Sequence, residues 1–86
     1  MAGLFNVNIL TRDKTVYSGP ASSMVAPGEL GYLGILSNHA PLLTTLVPGN
    51  IILKEHSGQV IAFKSKSKGF LHVLKNDATV PLDSIE

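Results

Sequence analysis

The chain of 86 residues contains no cysteine and no tryptophan, and only 15% of its residues are charged. Without thiols there is no disulfide framework, no thiol nucleophile and no thiolate zinc or iron-sulfur site. Seven Lys plus Arg against six Asp plus Glu leave a formal net charge of +1. That is too small a field to recruit nucleic acid or anionic lipid as a main task. No apolar run reaches the roughly 18 residues of a membrane span, and Met1 to Leu10 has neither a basic start nor the apolar stretch of a secretory signal. The expectation is a soluble protein that stays where it is made.

What is abundant is turn chemistry. Eight Gly and five Pro would each damage a helix, at about 1 and 3 kcal/mol per interior residue relative to Ala. Arg12-Asp13-Lys14, Ser18-Gly19-Pro20, Pro27-Gly28, Pro48-Gly49-Asn50, His56 to Gln59, Lys68-Gly69 and Asn76-Asp77 punctuate the chain at strand-length intervals. Between them the period is two, clearest in Phe5, Val7 and Ile9 against Asn6 and Asn8. Ile51-Ile52-Leu53 and Val60 to Phe63 are apolar on both faces, as in a sandwich interior or a covered outer face. Leu42 to Val47, flanked by Pro41 and Pro48 and carrying paired threonines, reads as a short strand. The pattern predicts a single all-β domain over residues 1–86, an antiparallel β-sandwich or flattened barrel of about eight to ten short strands with no long helix. A 44% hydrophobic composition with so little charge also hints that a partner covers some of the surface.

Catalytic constellations are scarce. There is no Gly-Lys-Ser/Thr phosphate loop, no Gly-x-Ser-x-Gly elbow and no His-Glu-x-x-His helix. His39, His56 and His72 lack the close spacing of a metal site, and the acids fall mostly at turns or, like Glu86, at the terminus. Neither a metal nor a cofactor is called for. Lys64, Lys66 and Lys68 alternate with serines and predict one cationic strand face, without aromatic interleaving. Edge protection explains such a row better than nucleic-acid binding, and an acidic partner surface is its best functional use.

The most informative stretch is Pro27 to Leu42. Glycines at 28, 31 and 34 recur every third residue, which fits neither strand nor helix, so this backbone should make tight turns, a bulge or a close approach to a partner. Gly28, Gly31, Gly34 and the later Gly69 are the candidate backbone-critical positions.

This segment resembles the amino-terminal β-sandwich of the epsilon subunit of the F-type ATP synthase. The resemblance spans residues 5 to about 83. It rests on Val16-Tyr17-Ser18-Gly19 as the hairpin after the first strand, on Gly31-Tyr32-Leu33-Gly34-Ile35-Leu36 followed by His39-Ala40-Pro41-Leu42, on Pro48-Gly49, and on Gly69-Phe70. Three departures stand out: Tyr32 replaces a usual acid, Ser37-Asn38 a usual Pro-Gly, and Lys68 a usual glycine. Asn38 can still take the left-handed conformation of the glycine it replaces. Pro81 removes a ladder donor, so the last strand should be short or an edge.

The resemblance implies a non-catalytic central-stalk subunit that joins the gamma subunit to the c-ring, so that ion-driven rotation is coupled to ATP synthesis. It implies contact residues Tyr32, Ser37, Asn38 and His39 on the c-ring side, and exposed apolar residues of one sheet against gamma. It further implies a peripheral position on the cytoplasmic face of a bacterial inner membrane, or the equivalent organellar face. Family members usually continue into two helices; if Glu86 is the native end, inhibition by that hairpin is expected to be absent. The competing reading is a stand-alone β-sandwich that binds a peptide, glycan or small ligand through its loops, although Phe5, Tyr17, Tyr32, Phe63 and Phe70 mostly occupy core-like positions in the sequence pattern.

Overall fold

The computed structural model describes residues 3–83, and within them the chain is nine β-strands with no helix. The strands are β1 (Phe5–Leu10), β2 (Thr15–Ala21), β3 (Ser23–Gly28), β4 (Gly31–Leu36), β5 (Leu42–Leu46), β6 (Gly49–Lys54), β7 (Val60–Ser65), β8 (Gly69–Leu74) and β9 (Asp77–Pro81). They form one curled sheet in the order β2-β1-β9-β8-β5-β3-β6-β7, with β4 added on β3. Folding over at β3 gives two layers. Ser23 to Val25 of β3 pair with Lys54 to Ile52 of β6, whereas Gly28 at its end pairs with Leu46 of β5. The Val47 N–H donates to the Pro27 carbonyl at 2.9 Å beside that switch.

Alternation builds the core. Phe5, Val7 and Ile9 of β1, Met24 and Ala26 of β3, Ile51 and Leu53 of β6, Leu71 and Val73 of β8 and Ala78 and Val80 of β9 all point inward and are buried. At about 25 cal/mol per Å² of apolar surface removed from water, this two-sided packing is what stabilises a fold without cross-links.

Several expectations are corrected. Ser18-Gly19-Pro20 is not a turn, and Val16 to Gly19 is not a hairpin: all lie within β2, and the turn joining β1 to β2 is at Arg12-Asp13, closed by Thr11 N–H to Lys14 carbonyl at 2.8 Å. Among the described residues β2 pairs only with β1, and an edge strand tolerates the donor that Pro20 lacks. The sheet is not wholly antiparallel, because β1 and β9 run parallel from Asn6↔Asp77 to Leu10↔Pro81. Strand β9 does end at Pro81, yet it lies between β1 and β8 rather than at an edge. The lysines do not share a strand face either: Lys64 lies on β7, but that strand stops at Ser65, ahead of Lys66 and Lys68. Of the aromatics only Phe5 is buried, while Tyr32 and Phe70 are exposed. Glu86 lies outside the described residues.

Candidate functional site: the β4 ridge and two opposed sheet faces

Strand β4 carries the glycine-rich stretch, and it is an ordinary strand. A two-residue turn at Glu29-Leu30 folds it back on β3, in register from Gly28↔Gly31 to Ser23↔Leu36. Gly31 has φ of +129°, a conformation that only glycine adopts without strain. At Gly28 a Cβ would come within 2.9 Å of the Gly31 carbonyl oxygen, and at Gly69 within 2.7 Å of the Pro81 carbonyl oxygen. Steric closeness therefore requires glycine at both positions. Gly34 answers neither demand: its φ is not positive, and a Cβ there would meet nothing within 4 Å.

The four contact candidates do not form one loop. Tyr32 stands near the start of β4, and Ser37, Asn38 and His39 follow its far end, about 20 Å away at roughly 3.3 Å per residue. They share one ridge, since among the described residues β4 pairs with β3 alone. Tyr32 sits opposite Pro27, and its hydroxyl lies beside Gly49. Asn38 takes the left-handed conformation at φ 62°, as its type allows. The half-buried His39 presents Nδ1 2.7 Å from the Ala40 carbonyl oxygen. A carbonyl only accepts, so this contact requires the proton on Nδ1. An open groove of about 560 Å³ runs between Asn38 to Pro41 and Leu74 to Asn76. At the other end a smaller hollow of about 280 Å³ lies between the β3-β4 turn and Thr44-Thr45.

The two outer faces differ in chemistry. Across β4, β3, β6 and β7 the register aligns Gly34, Val25, Ile52 and Ala62 in one row and Leu36, Ser23, Lys54 and Val60 in the next. Leu36 and Val60 are 62% and 61% exposed, and Ile52 is 37% exposed. Across β5, β8, β9, β1 and β2 the central row is Leu43, His72, Thr79, Asn8 and Ser18. There Ser18 Oγ donates to Asn8 Oδ1 at 2.8 Å, and Asn6 Nδ2 donates to Asp77 Oδ1 at 3.2 Å. The first face carries an apolar row, whereas the second is polar and hydrogen-bonded along β9, β1 and β2 and apolar at β5 and β8, where Leu43, Phe70 and Leu74 are exposed. The two-faced runs at residues 51–53 and 60–63 were the sequence signal of a covered outer face, and the structure adds that Leu30 at the β3-β4 turn is fully exposed.

A curled sheet of nine strands folded into two layers defines the class of protein, a small all-β sandwich domain. The pattern of the family described as ATP synthase, Delta/Epsilon chain, beta-sandwich domain matches residues 4–86, and this chain belongs to that family. Relatives named ATP synthase epsilon chain include one from Desulfosudis oleivorans, 40% identical over the whole chain and 64% of its own length. Another, from Acidithiobacillus ferridurans, is 40% identical over the whole chain and 60% of its own length. The chain thus spans less than two thirds of these relatives. Among solved structures, a chain of the Euglena gracilis mitochondrial ATP synthase (OSCP/F1/c-ring) superposes with TM-score 0.90 at 18% identity, over 96% of this chain and 52% of that one. A chain of the Tetrahymena thermophila mitochondrial ATP synthase central stalk and c-ring gives 0.78 at 19% identity, over 94% and 64%. At such identities the likeness is one of fold.

Proposed function

We propose that residues 1–86 form one domain and serve as the β-sandwich of a non-catalytic rotor subunit, linking the gamma subunit to the c-ring of an F-type ATP synthase. In this reading ion-driven rotation of the ring reaches the catalytic head as torque through a stiff joint. Family membership supports it, and so do relatives named epsilon chain. The observation that carries it is the row Val25, Ile52 and Ala62 with exposed Leu36 and Val60 beside it on the outer face of β4, β3, β6 and β7, because apolar surface on a small sandwich gains from being covered. That face is assigned to gamma, and the β4 ridge with Tyr32, Ser37, Asn38 and His39 to the ring. Gly34, which the isolated fold does not require, would let a partner backbone approach the ridge closely.

No described helix is long and apolar enough to cross a membrane. The reading places the subunit peripherally, on the cytoplasmic face of a bacterial inner membrane or the equivalent organellar face. Capture of c-ring by the Tyr32→Ala, His39→Ala double variant tests the ridge. A loss of about tenfold or more in affinity is expected; unchanged capture would remove both residues from the site.

A further inference from the structure

Asn76 does more than turn the chain. It occupies the second position of the two-residue turn between β8 and β9, where Lys75 and Asn76 have φ of 51° and 62°. Its carbonyl accepts from the Asn6 N–H at 2.9 Å, which ties the turn to the start of β1. Its side chain reaches the other way. Oδ1 accepts from the Asn38 N–H at 2.6 Å, and Nδ2 donates to Asn38 Oδ1 at 3.2 Å. A single residue thus joins β1, the β8-β9 turn and the segment between β4 and β5.

The exchange with Asn38 is reciprocal, and each member must present both a donor and an acceptor. The Asn76 side-chain amide supplies both its groups, while Asn38 donates through its backbone N–H and accepts through its side-chain Oδ1. A glycine at position 38 would reproduce its left-handed backbone but would leave Asn76 Nδ2 without this acceptor. The two left-handed asparagines are therefore complementary. The backbone next to Asn38 is that of His39, whose ring is already held against its own segment by the Ala40 carbonyl. The open groove between these segments has Asn38 and His39 on one wall and Lys75 and Asn76 on the other.

We propose that Asn76 is a positioning residue for the partner-facing segment Ser37 to His39, holding it in the shape that meets the ring through the paired amides of Asn76 and Asn38. The functional consequence rests on the reading of the ridge as the ring-side contact. The hydrogen-bonding role stands on the geometry alone.

The test uses the whole chain with a purified gamma and c-ring subcomplex and three variants. Asn76→Gly keeps the left-handed turn and deletes the amide, Asn76→Asp keeps the acceptor for the Asn38 N–H, and Asn38→Gly removes the return contact. In Asn76→Gly the Asn38 amide should exchange with solvent about fivefold faster, the loss of one hydrogen bond, with affinity for the subcomplex falling by a similar factor. The melting temperature should fall by about 4–8 °C, the same fivefold loss carried by a domain of this size, and exchange in the core strands should rise by no more than that factor. Asn76→Asp should return both quantities to within about twofold of the parent, and Asn38→Gly should lower affinity without disturbing the β8-β9 turn. Unaltered exchange at Asn38 in Asn76→Gly would overturn the proposal, as would faster exchange with undiminished affinity. If the parent chain binds no subcomplex, the ring-contact reading fails, and exchange at Asn38 alone decides whether Asn76 holds this segment.

Discussion

Tyr17 of β2 meets Phe63 of β7 edge-on, with ring centroids 5.9 Å apart and planes at 63°. These strands are the two ends of the sheet order, so the contact draws the curled sheet toward closure. The Tyr17 hydroxyl completes the seam, lying 3.3 Å from both the Glu55 carboxylate and the Pro20 carbonyl. Ser22 adds its N–H and Oγ to the Lys54 carbonyl at 2.8 and 3.1 Å.

Burial first, and then the charge and hydrogen bond of Glu55, raise the Tyr17 phenol above its ordinary 10.0. The folded state therefore holds this proton more tightly than the unfolded chain. The contribution is complete below pH 10 and drains away as pH rises through the raised value. Denaturant unfolding of the parent should lose stability in that alkaline window, and Tyr17→Phe should show a shallower loss. Parallel curves for the two proteins would separate Tyr17 from the seam.

Glycine substitution should sort the candidates by what surrounds them. In Gly69→Ala the new methyl would sit 2.5 Å from Leu82 Cδ2 and 2.7 Å from the Pro81 carbonyl oxygen, a closeness that requires backbone to move. A destabilisation of about 1–3 kcal/mol is expected from such overpacking. Gly34→Ala meets open space and should change stability by no more than about 0.5 kcal/mol in the isolated chain. Thermal melts of both variants check the contrast.

Lys75 is a residue type poorly suited to its φ of 51°. Asparagine visits this region far more readily and is favoured in two-residue hairpin turns of this hand. Lys75→Asn is expected to stabilise the fold by about 0.5–1 kcal/mol. The denaturant midpoint should rise with an unchanged slope.

The strands were legible where alternation and punctuation agree. Phe5, Val7 and Ile9 alternate with asparagines, and Asn76-Asp77 marks the turn into β9. Legibility failed where local chemistry has two uses. Ser18-Gly19-Pro20 carries turn residues, yet an edge strand accepts them because its outer backbone groups need no partner. The glycines at 28, 31 and 34 hide a plain period-two strand in which Leu33 and Ile35 turn inward while Tyr32 and Leu36 turn out. The parallel pairing of β1 with β9 joins residues some seventy apart, Asn6 with Asp77, and no local signal encodes it. For the ridge, the family resemblance put forward Tyr32 and His39 as one loop, and the sequence did not show the strand length between them. Asn76 escaped notice because its partner Asn38 lies on another hairpin.

The central claim is that the apolar face of β4, β3, β6 and β7 docks on gamma while the ridge meets the ring. The most direct measurement is the affinity of the purified chain for a gamma and c-ring subcomplex, compared with that of Ile52→Lys. Ile52 lies in the central row of the face beside Val25 and Ala62, so a buried charge there should weaken binding about a hundredfold while leaving the melting temperature near that of the parent. Parent chain that fails to bind, or Ile52→Lys that binds equally well, would contradict the account.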